Sequence, residues 1–532
     1  MPTGPAARRE VRYKFLALVR RLWRAVPRLL PTTPSSAPAW LQVQAPPSSP
    51  RHLWLLGGAL LFFAAVLWWV VPHGIGFSWR ECDTQSIARN LLEDRFDVLH
   101  PRVDWRGTTD GSVECEFPLY QLGIALLLAV FGDVEWPGRL ISLAAVVYAA
   151  SSLYRLLRRR GSEQSAFAGV LAFLATGSAA LLATRVQPDA LCLAFGLRGM
   201  VAFVDYLGGG RGRHLVLATL LLALAGLLKP LALQLGLLAF GWTLLLMPRR
   251  LGEGRLWVSF VVIVGVVVLW LWHAYQLWLQ TGLSFGVIGG GDSKFPGAAA
   301  LSPAVWGQLV WTTLQYGLSP VGAVAVSLLL LRRRFDKGDA ILTIAVLTGL
   351  VVSLRYSCFH GLGPHYHMWA AAASGWFVAR ALPERAGRRW WLPFLVLTAA
   401  CAAWRLHEER GMRIVVNQTP WQHVAEQLRS GTKPTELLLV HGEMPRYDPV
   451  WHTGHNFEDP RMLYQTRRRG FALANDGWSP AVLEQLRRSG ATVVVDMHPE
   501  GMPPQVESWL AKHATLWLRH GGLVLYRLHA ND

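Results

Sequence analysis

Long apolar runs separated by short basic turns fill the chain up to about residue 410. The run from Leu53 to Val71 can cross a hydrocarbon layer of about 30 Å. It has no small-residue cleavage site, so it reads as a retained signal-anchor. Further crossings are predicted at 137–157, 165–184, 188–207, 214–228, 231–247, 256–279, 305–331, 339–353, 364–381 and 389–406. Pro118–Gly132 is short for a crossing. If it did cross, the tract Arg155–Arg160 would face outward, against the rule that keeps Lys and Arg cytoplasmic. It is therefore predicted as an interfacial or re-entrant helix. The basic turns Arg155–Arg160, Arg211/Arg213, Arg249/Arg250, Arg332–Arg334 and Arg385/Arg388/Arg389 then all fall on one side.

That pattern predicts a mostly α fold, a polytopic transmembrane helical bundle of about 11 to 13 spans, with the N-terminus cytoplasmic and the C-terminus outside. Three regions are expected: a basic, Pro/Ser-rich cytoplasmic arm over 1–52, a transmembrane domain over 53–411 with a long outer loop at 72–117, and an extracytoplasmic domain over 412–532. In the last, Leu437–Val440, Ala491–Val495 and Leu523–Leu528 read as buried strands. Pro480–Arg488 and Pro504–Lys512 have helical spacing. Strands alternating with helices indicate a small α/β domain.

Composition sharpens this picture. Of 532 residues, 52% are hydrophobic and only 16% charged, against about 25% charged in soluble proteins. Lys and Arg exceed Asp and Glu by 52 to 34, a formal charge of +18. The bases lie between apolar runs rather than in one patch, which argues against a nucleic-acid partner. Five cysteines are too few for a disulfide framework.

The candidate chemistry concentrates in the first outer loop. Glu81-Cys82-Asp83 follows the first span, and Glu114-Cys115-Glu116-Phe117-Pro118 comes about 30 residues later. Carboxylates facing a cavity at a membrane surface can take a proton from an incoming hydroxyl; solvated loop charges are the bland alternative. A disulfide between Cys82 and Cys115, if the compartment is oxidising, would draw the two acidic clusters together and close a loop worth roughly 3–4 kcal/mol. Lys229-Pro230, where two spans meet, and Arg355-Tyr356, after another, put cations at depths that are costly without a partner. Phosphate is a natural partner for them, and snorkelling is the alternative. His273 and the stretch Cys358–His367 supply histidines and aromatics suited to an interfacial belt or to stacking on sugar. His365 and His367 lack the nearby carboxylate that a metal site would favour. Gly289-Gly290-Gly291 lacks the Lys-Ser/Thr of a phosphate loop and reads as an outer loop. Gln308, Thr312, Thr313, Gln315 and Tyr316 suit either a cavity wall or bonding between helices.

Together these features form a recognisable order. A first span is followed by Asp83-Thr84…Ile87-Ala88-Arg89-Asn90, then His100-Pro101-Arg102-Val103-Asp104-Trp105-Arg106-Gly107, then Glu116-Phe117-Pro118-Leu119-Tyr120 opening a short helix. Phe131-Gly132…Arg139, Pro188-Asp189, Lys229-Pro230 and a trailing domain with Asp459-Pro460-Arg461…Tyr464…Arg467–Gly470 complete it. The sequence resembles the GT-C polytopic glycosyltransferases, in the branch of the protein O-mannosyltransferases and the aminoarabinose lipid A transferase, within a bacterial subgroup. The resemblance implies a glycosyltransferase of the bacterial inner membrane that moves a sugar from a polyprenyl-phosphate donor to an outer hydroxyl with inversion. It implies a loop acid as general base, Asp83 or, counting back from Ile87-Ala88-Arg89, Glu81. Glu116 takes the place of the acid before Pro, and Lys229 and Arg355 become phosphate partners. Tyr356, His273 and His365 are further candidates for substrate contact. The family's usual Asp-Glu pair is absent from the loop start. No cofactor is required by this scheme, although it leaves room for a divalent cation. The expected partners are the lipid donor and membrane lipid, with the acceptor a protein, lipid or glycan. A transporter or flippase of lipid-linked sugars is the competing class. Such proteins usually carry internal repeats, and none is visible.

Overall fold

The computed structural model describes residues 40, 48–73, 78–288, 302–354, 363–382, 388–417, 421–446 and 457–530. Most of the expected arm, Arg355, Tyr356, Cys358 and Gly289–Gly291 lie outside the described residues. The helices are α1 Pro50–Val70, α2 Trp79–Glu93, α3 Leu119–Phe131, α4 Trp136–Arg158, α5 Glu163–Leu174, α6 Gly177–Thr184, α7 Asp189–Gly209, α8 Gly212–Leu228, α9 Gln234–Leu246 and α10 Gly254–Thr281. They continue with α11 Pro303–Thr312, α12 Ser319–Leu331, α13 Lys337–Ser353, α14 Met368–Ala381, α15 Arg388–Asn417, α16 Trp421–Gly431, α17 Arg461–Thr466, α18 Pro480–Arg488 and α19 Pro504–His513.

Among the described residues, five helical segments are long and apolar enough to cross a membrane, or six if the bent pair α5 and α6 is one span. The chain is a multi-pass membrane protein. Each predicted crossing coincides with a helix or a pair of helices, but several, such as α8 and α9, are short. The predicted segment 165–184 is broken, with α5 and α6 meeting at 65°. α3, predicted as interfacial, is a 13-residue helix. Helices approach closely where side chains vanish: a Cβ on Gly169 would lie 2.5 Å from the Gly375 carbonyl oxygen, so α5 and α14 touch backbone to backbone.

The basic turns gather at one end. Arg159 pairs with Asp205, and Arg160 and Arg380 both pair with Asp336. Arg250 donates to the Leu207 carbonyl. At the other end lie α2, the loop after it, and the C-terminal sheet. This sheet is mixed, with strands β1 Leu437–His441, β2 Gly470–Leu473, β3 Ala491–Asp496, β4 Ala514–His520 and β5 Leu523–Leu528 in the order β2-β1-β3-β5-β4. β1 runs parallel to β2 and β3, and β5 antiparallel to β3 and β4. The expected strands and helices are present; β2 and β4 were not foreseen, β2 being only 4 residues long and β4 lying largely exposed at the edge of the sheet. The boundary expected at residue 411 falls inside α15.

The outer loop and the sheet share one hydrophobic core. Ile87, Val103, Trp105, Val113 and Cys115 pack with Val440, Val493, Val495 and Leu525. Two backbone bonds continue the union: Gly107 N–H to the Gly470 carbonyl at 2.7 Å, and Gly470 N–H to the Asp104 carbonyl at 3.1 Å. Loop and C-terminal domain therefore occupy the same face of the bundle.

Candidate active site

α2 carries most of the candidate chemistry. It starts after an extended Ser78, with Glu81 in its first turn, where a carboxylate suits the helix dipole. From Glu81 to Leu91 every residue is buried, polar ones included. A helix this polar stays buried only if its charges are partnered.

Two of its acids are treated in opposite ways. Glu81 is fully buried and accepts from Arg413 Nη2 at 2.7 Å, Arg185 Nη1 at 3.5 Å and the Val186 N–H at 2.9 Å. Burial works against its charge, yet Arg413, Arg185 and that N–H hold its pKa below the ordinary carboxylate value. Asp83, 7% exposed, accepts from Trp105 Nε1 at 2.9 Å. Burial drives its pKa to about 8; the Trp105 bond and Arg80 oppose the rise, while Asp104 and Glu458 add to it.

Beside Asp83 lies a compact charged cluster. Arg80 pairs with Glu116, and its guanidinium sits 4.9 Å from the centre of the Phe285 ring. Lys229 Nζ lies 3.5 Å from Glu116 and 3.4 Å from Asp189, and 5.6 Å from the Tyr366 ring centre. Burial opposes the Glu116 charge, but Arg80 and Lys229 draw its pKa down to about 2. The local fold explains the meeting. Pro230 restricts the residue before it to extended backbone, so α8 ends and Lys229 turns out at φ −152°, ψ 112°. Phe117 N–H then bonds to the Leu227 carbonyl at 3.0 Å, bringing Glu116 alongside. Asp189 enters from the first residue of α7, behind Pro188.

The remaining expected residues separate. The His365 ring lies 4.2 Å from that of Tyr366, tilted by 40°, near the cluster. His273 does not join it: Nε2 meets the Leu99 carbonyl at 2.8 Å and the ring abuts His100, so it props the outer loop. The Cys82–Cys115 bond is not formed; both thiols are free and buried. Cys82 faces the Asp459–Arg461 stretch, Cys115 faces Arg80 and Glu116, and burial pushes both thiols up in pKa. The acidic clusters are joined instead by Arg80 and Glu116. Glu114 accepts from Ser284 Oγ at 2.5 Å and the Ile288 N–H at 2.8 Å, anchoring the strand after α10. Among the polar residues of 305–331, Thr313 meets His367 across helices at 3.4 Å, Thr312 bonds within its own helix to the Gln308 carbonyl at 2.9 Å, and Arg405 donates to the Gln315 carbonyl and covers Tyr316. Sequence reasoning missed Arg80, Trp105, Arg185 and Arg413 as site residues. Arg80 flanks the acids and Trp105 lies in a stretch that carries the resemblance, whereas Arg185 and Arg413 had no local signal.

Comparison with known proteins accords with this geometry. Residues 116–273 match the family described as dolichyl-phosphate-mannose-protein mannosyltransferase. No curated protein matches the chain in sequence. Among solved structures, ArnT from Cupriavidus metallidurans in the apo state superposes with a TM-score of 0.60 at 15% identity, covering 90% of this chain and 98% of that one. The same protein bound to undecaprenyl phosphate gives 0.57 at 14% identity over the same shares. The archaeal oligosaccharyltransferase AglB from Archaeoglobus fulgidus, in complex with an inhibitory peptide and a dolichol-phosphate, gives 0.53 at 11% identity, covering 90% and 75%. The resemblance read from the sequence and the family match over residues 116–273 therefore point the same way, and the whole bundle takes the fold of ArnT.

Proposed function

We propose that the protein transfers a sugar from a polyprenyl-phosphate donor to a hydroxyl on the outer face of the membrane, with Asp83 as general base. The observation that carries this reading is the contrast on one helix: Glu81 is locked between two arginines, whereas Asp83 keeps a pKa near the working range of a base beside a cation cluster. The acceptor oxygen attacks the anomeric carbon from the face opposite the phosphate. The new C–O bond forms as the bond to the lipid phosphate breaks, and the acceptor proton passes to Asp83. Lys229 and Arg80, with Arg355 as a further partner, neutralise the charge on the departing phosphate. Glu116 and Asp189 hold these cations in place until the donor arrives.

ArnT and AglB are both recorded with a polyprenyl phosphate, which supports the same donor class here. The eleven-crossing topology, with the arm inside and the domain beyond residue 411 outside, agrees with the basic turns meeting at the end away from α2. The test is transfer by the reconstituted protein from mannosyl dolichyl phosphate labelled in the sugar to a mixed pool of cell-envelope acceptors. Labelled product is expected from the wild type and none from Asp83→Asn; equal product from both would remove Asp83 from the mechanism.

A further inference from the structure

We infer that Trp105 is a positioning residue for Asp83, holding the base at an angle fixed by the C-terminal sheet. The inference rests on the reading of Asp83 as the base and assigns a role to a residue outside the reacting groups. The Trp105 indole is 4% exposed, and its N–H donates to Asp83 Oδ1 at 2.9 Å. That bond fixes one oxygen and leaves Oδ2 to take the acceptor proton.

A buried indole N–H needs some acceptor, so the bond alone would be ordinary packing. What distinguishes Trp105 is that it cannot adapt to Asp83. On one side Asp104 accepts from Arg89 Nη2 at 2.6 Å and Asn90 Nδ2 at 2.9 Å, both on α2. On the other Arg106 donates to the Val103 carbonyl at 2.8 Å and to Asp94 at 2.7 Å. The two backbone bonds to Gly470 flank it, and its ring belongs to the core that holds β1 and β3. The same ring leans on Phe285 at 6.0 Å, which also bears the Arg80 guanidinium. Carboxylate and phosphate-facing cation are therefore registered against one rigid aromatic pair.

An N–H donated to a carboxylate favours its charged form. Losing the bond raises the pKa of Asp83, and the reaction's acidic limb moves with it to higher pH. The test uses the full-length protein in liposomes and needs no known acceptor. The protonated C=O stretch of Asp83 is titrated by infrared spectroscopy, as wild type minus Asp83→Asn. The same difference is taken for Trp105→Phe and for a chain with benzothienylalanine at 105, which swaps the N–H for sulfur and keeps the ring. An upward midpoint shift of about one pH unit is expected in both. Turnover of labelled mannosyl dolichyl phosphate should show its acidic limb displaced equally. If Trp105→Phe does not fold, the benzothienylalanine chain decides alone. An unmoved midpoint in a folded variant overturns the role of Trp105. Asp83→Asn turning over like the wild type would instead overturn the base itself, so the two failures are distinguishable.

Discussion

Arg413 Nη2 lies 2.7 Å from Glu81 Oε1, joining a helix that leaves the bundle to the first helix of the outer loop, 332 positions earlier. This contact favours Asp83 over Glu81 as the proposed base, because a carboxylate pinned by two buried guanidinium groups is a poor proton acceptor. Its role is architectural: it ties α2 to α15 and to the end of α6. Glu81→Gln would take a buried counter-charge from Arg413 and from Arg185, which keeps Glu409 at 3.5 Å, a loss of about 3–5 kcal/mol. Thermal unfolding in detergent should show the drop, while transfer per folded molecule falls far less than in Asp83→Asn.

With Asp83 as the proposed base, its titration sets the pH dependence of the reaction. Only the carboxylate can accept a proton, so the rate should rise with pH and level off above about 8. Stability runs the other way. Between 3.8, the ordinary value, and about 8 the folded chain keeps a proton on Asp83 that the unfolded chain has released, so stability from this group falls as pH rises through that window. A melting-temperature series in wild type and Asp83→Asn, whose difference isolates the group, checks the sign.

Glu116 has the opposite slope. Its folded pKa, about 2, lies below the unfolded 4.5, so its contribution is complete above 4.5 and is lost as pH falls toward 2. Glu116→Gln should flatten the acid side of the stability profile.

In the proposed mechanism Lys229 neutralises the departing phosphate. Lys229→Met should cost roughly 10²–10³ in the rate of transfer, and it leaves Glu116 and Asp189 with less compensating charge. Steady-state kinetics with labelled mannosyl dolichyl phosphate separates the two effects: an equal fall in kcat and kcat/KM marks a transition-state role, and a raised KM alone marks ground-state binding.

The free thiols give a direct chemical check. Cys82 and Cys115 should both alkylate in the unfolded chain without reductant and resist labelling in the native chain, where burial keeps them protonated. Mass spectrometry of the two peptides reads the outcome.

Much of this was legible in the chain itself. Apolar runs placed the helices because burial in lipid leaves few alternatives to a helix. The basic turns placed their ends, and Lys229-Pro230 announced a broken helix because Pro dictates the conformation before it. The resemblance singled out Glu116 and Lys229 separately, one as the acid before Pro and one as a phosphate partner, but not their pairing. What the sequence hid were contacts made across long intervals: Arg413 on Glu81, Trp105 on Asp83, and the core that Val103 and Trp105 share with β1 and β3. The expected disulfide failed for the same reason. Similar sequence surroundings suggested that Cys82 and Cys115 face each other, but Cys115 packs into the core shared with the C-terminal sheet and it is Arg80 that meets Glu116.

The most direct test of Asp83 as the base is a side-by-side assay of Asp83→Asn and Glu81→Gln in proteoliposomes, with transfer of labelled sugar from mannosyl dolichyl phosphate normalised to folded protein. A fall of about 10²–10⁴ in Asp83→Asn with most of the rate retained in Glu81→Gln is expected. Full transfer by Asp83→Asn, or abolition by Glu81→Gln alone, would contradict it.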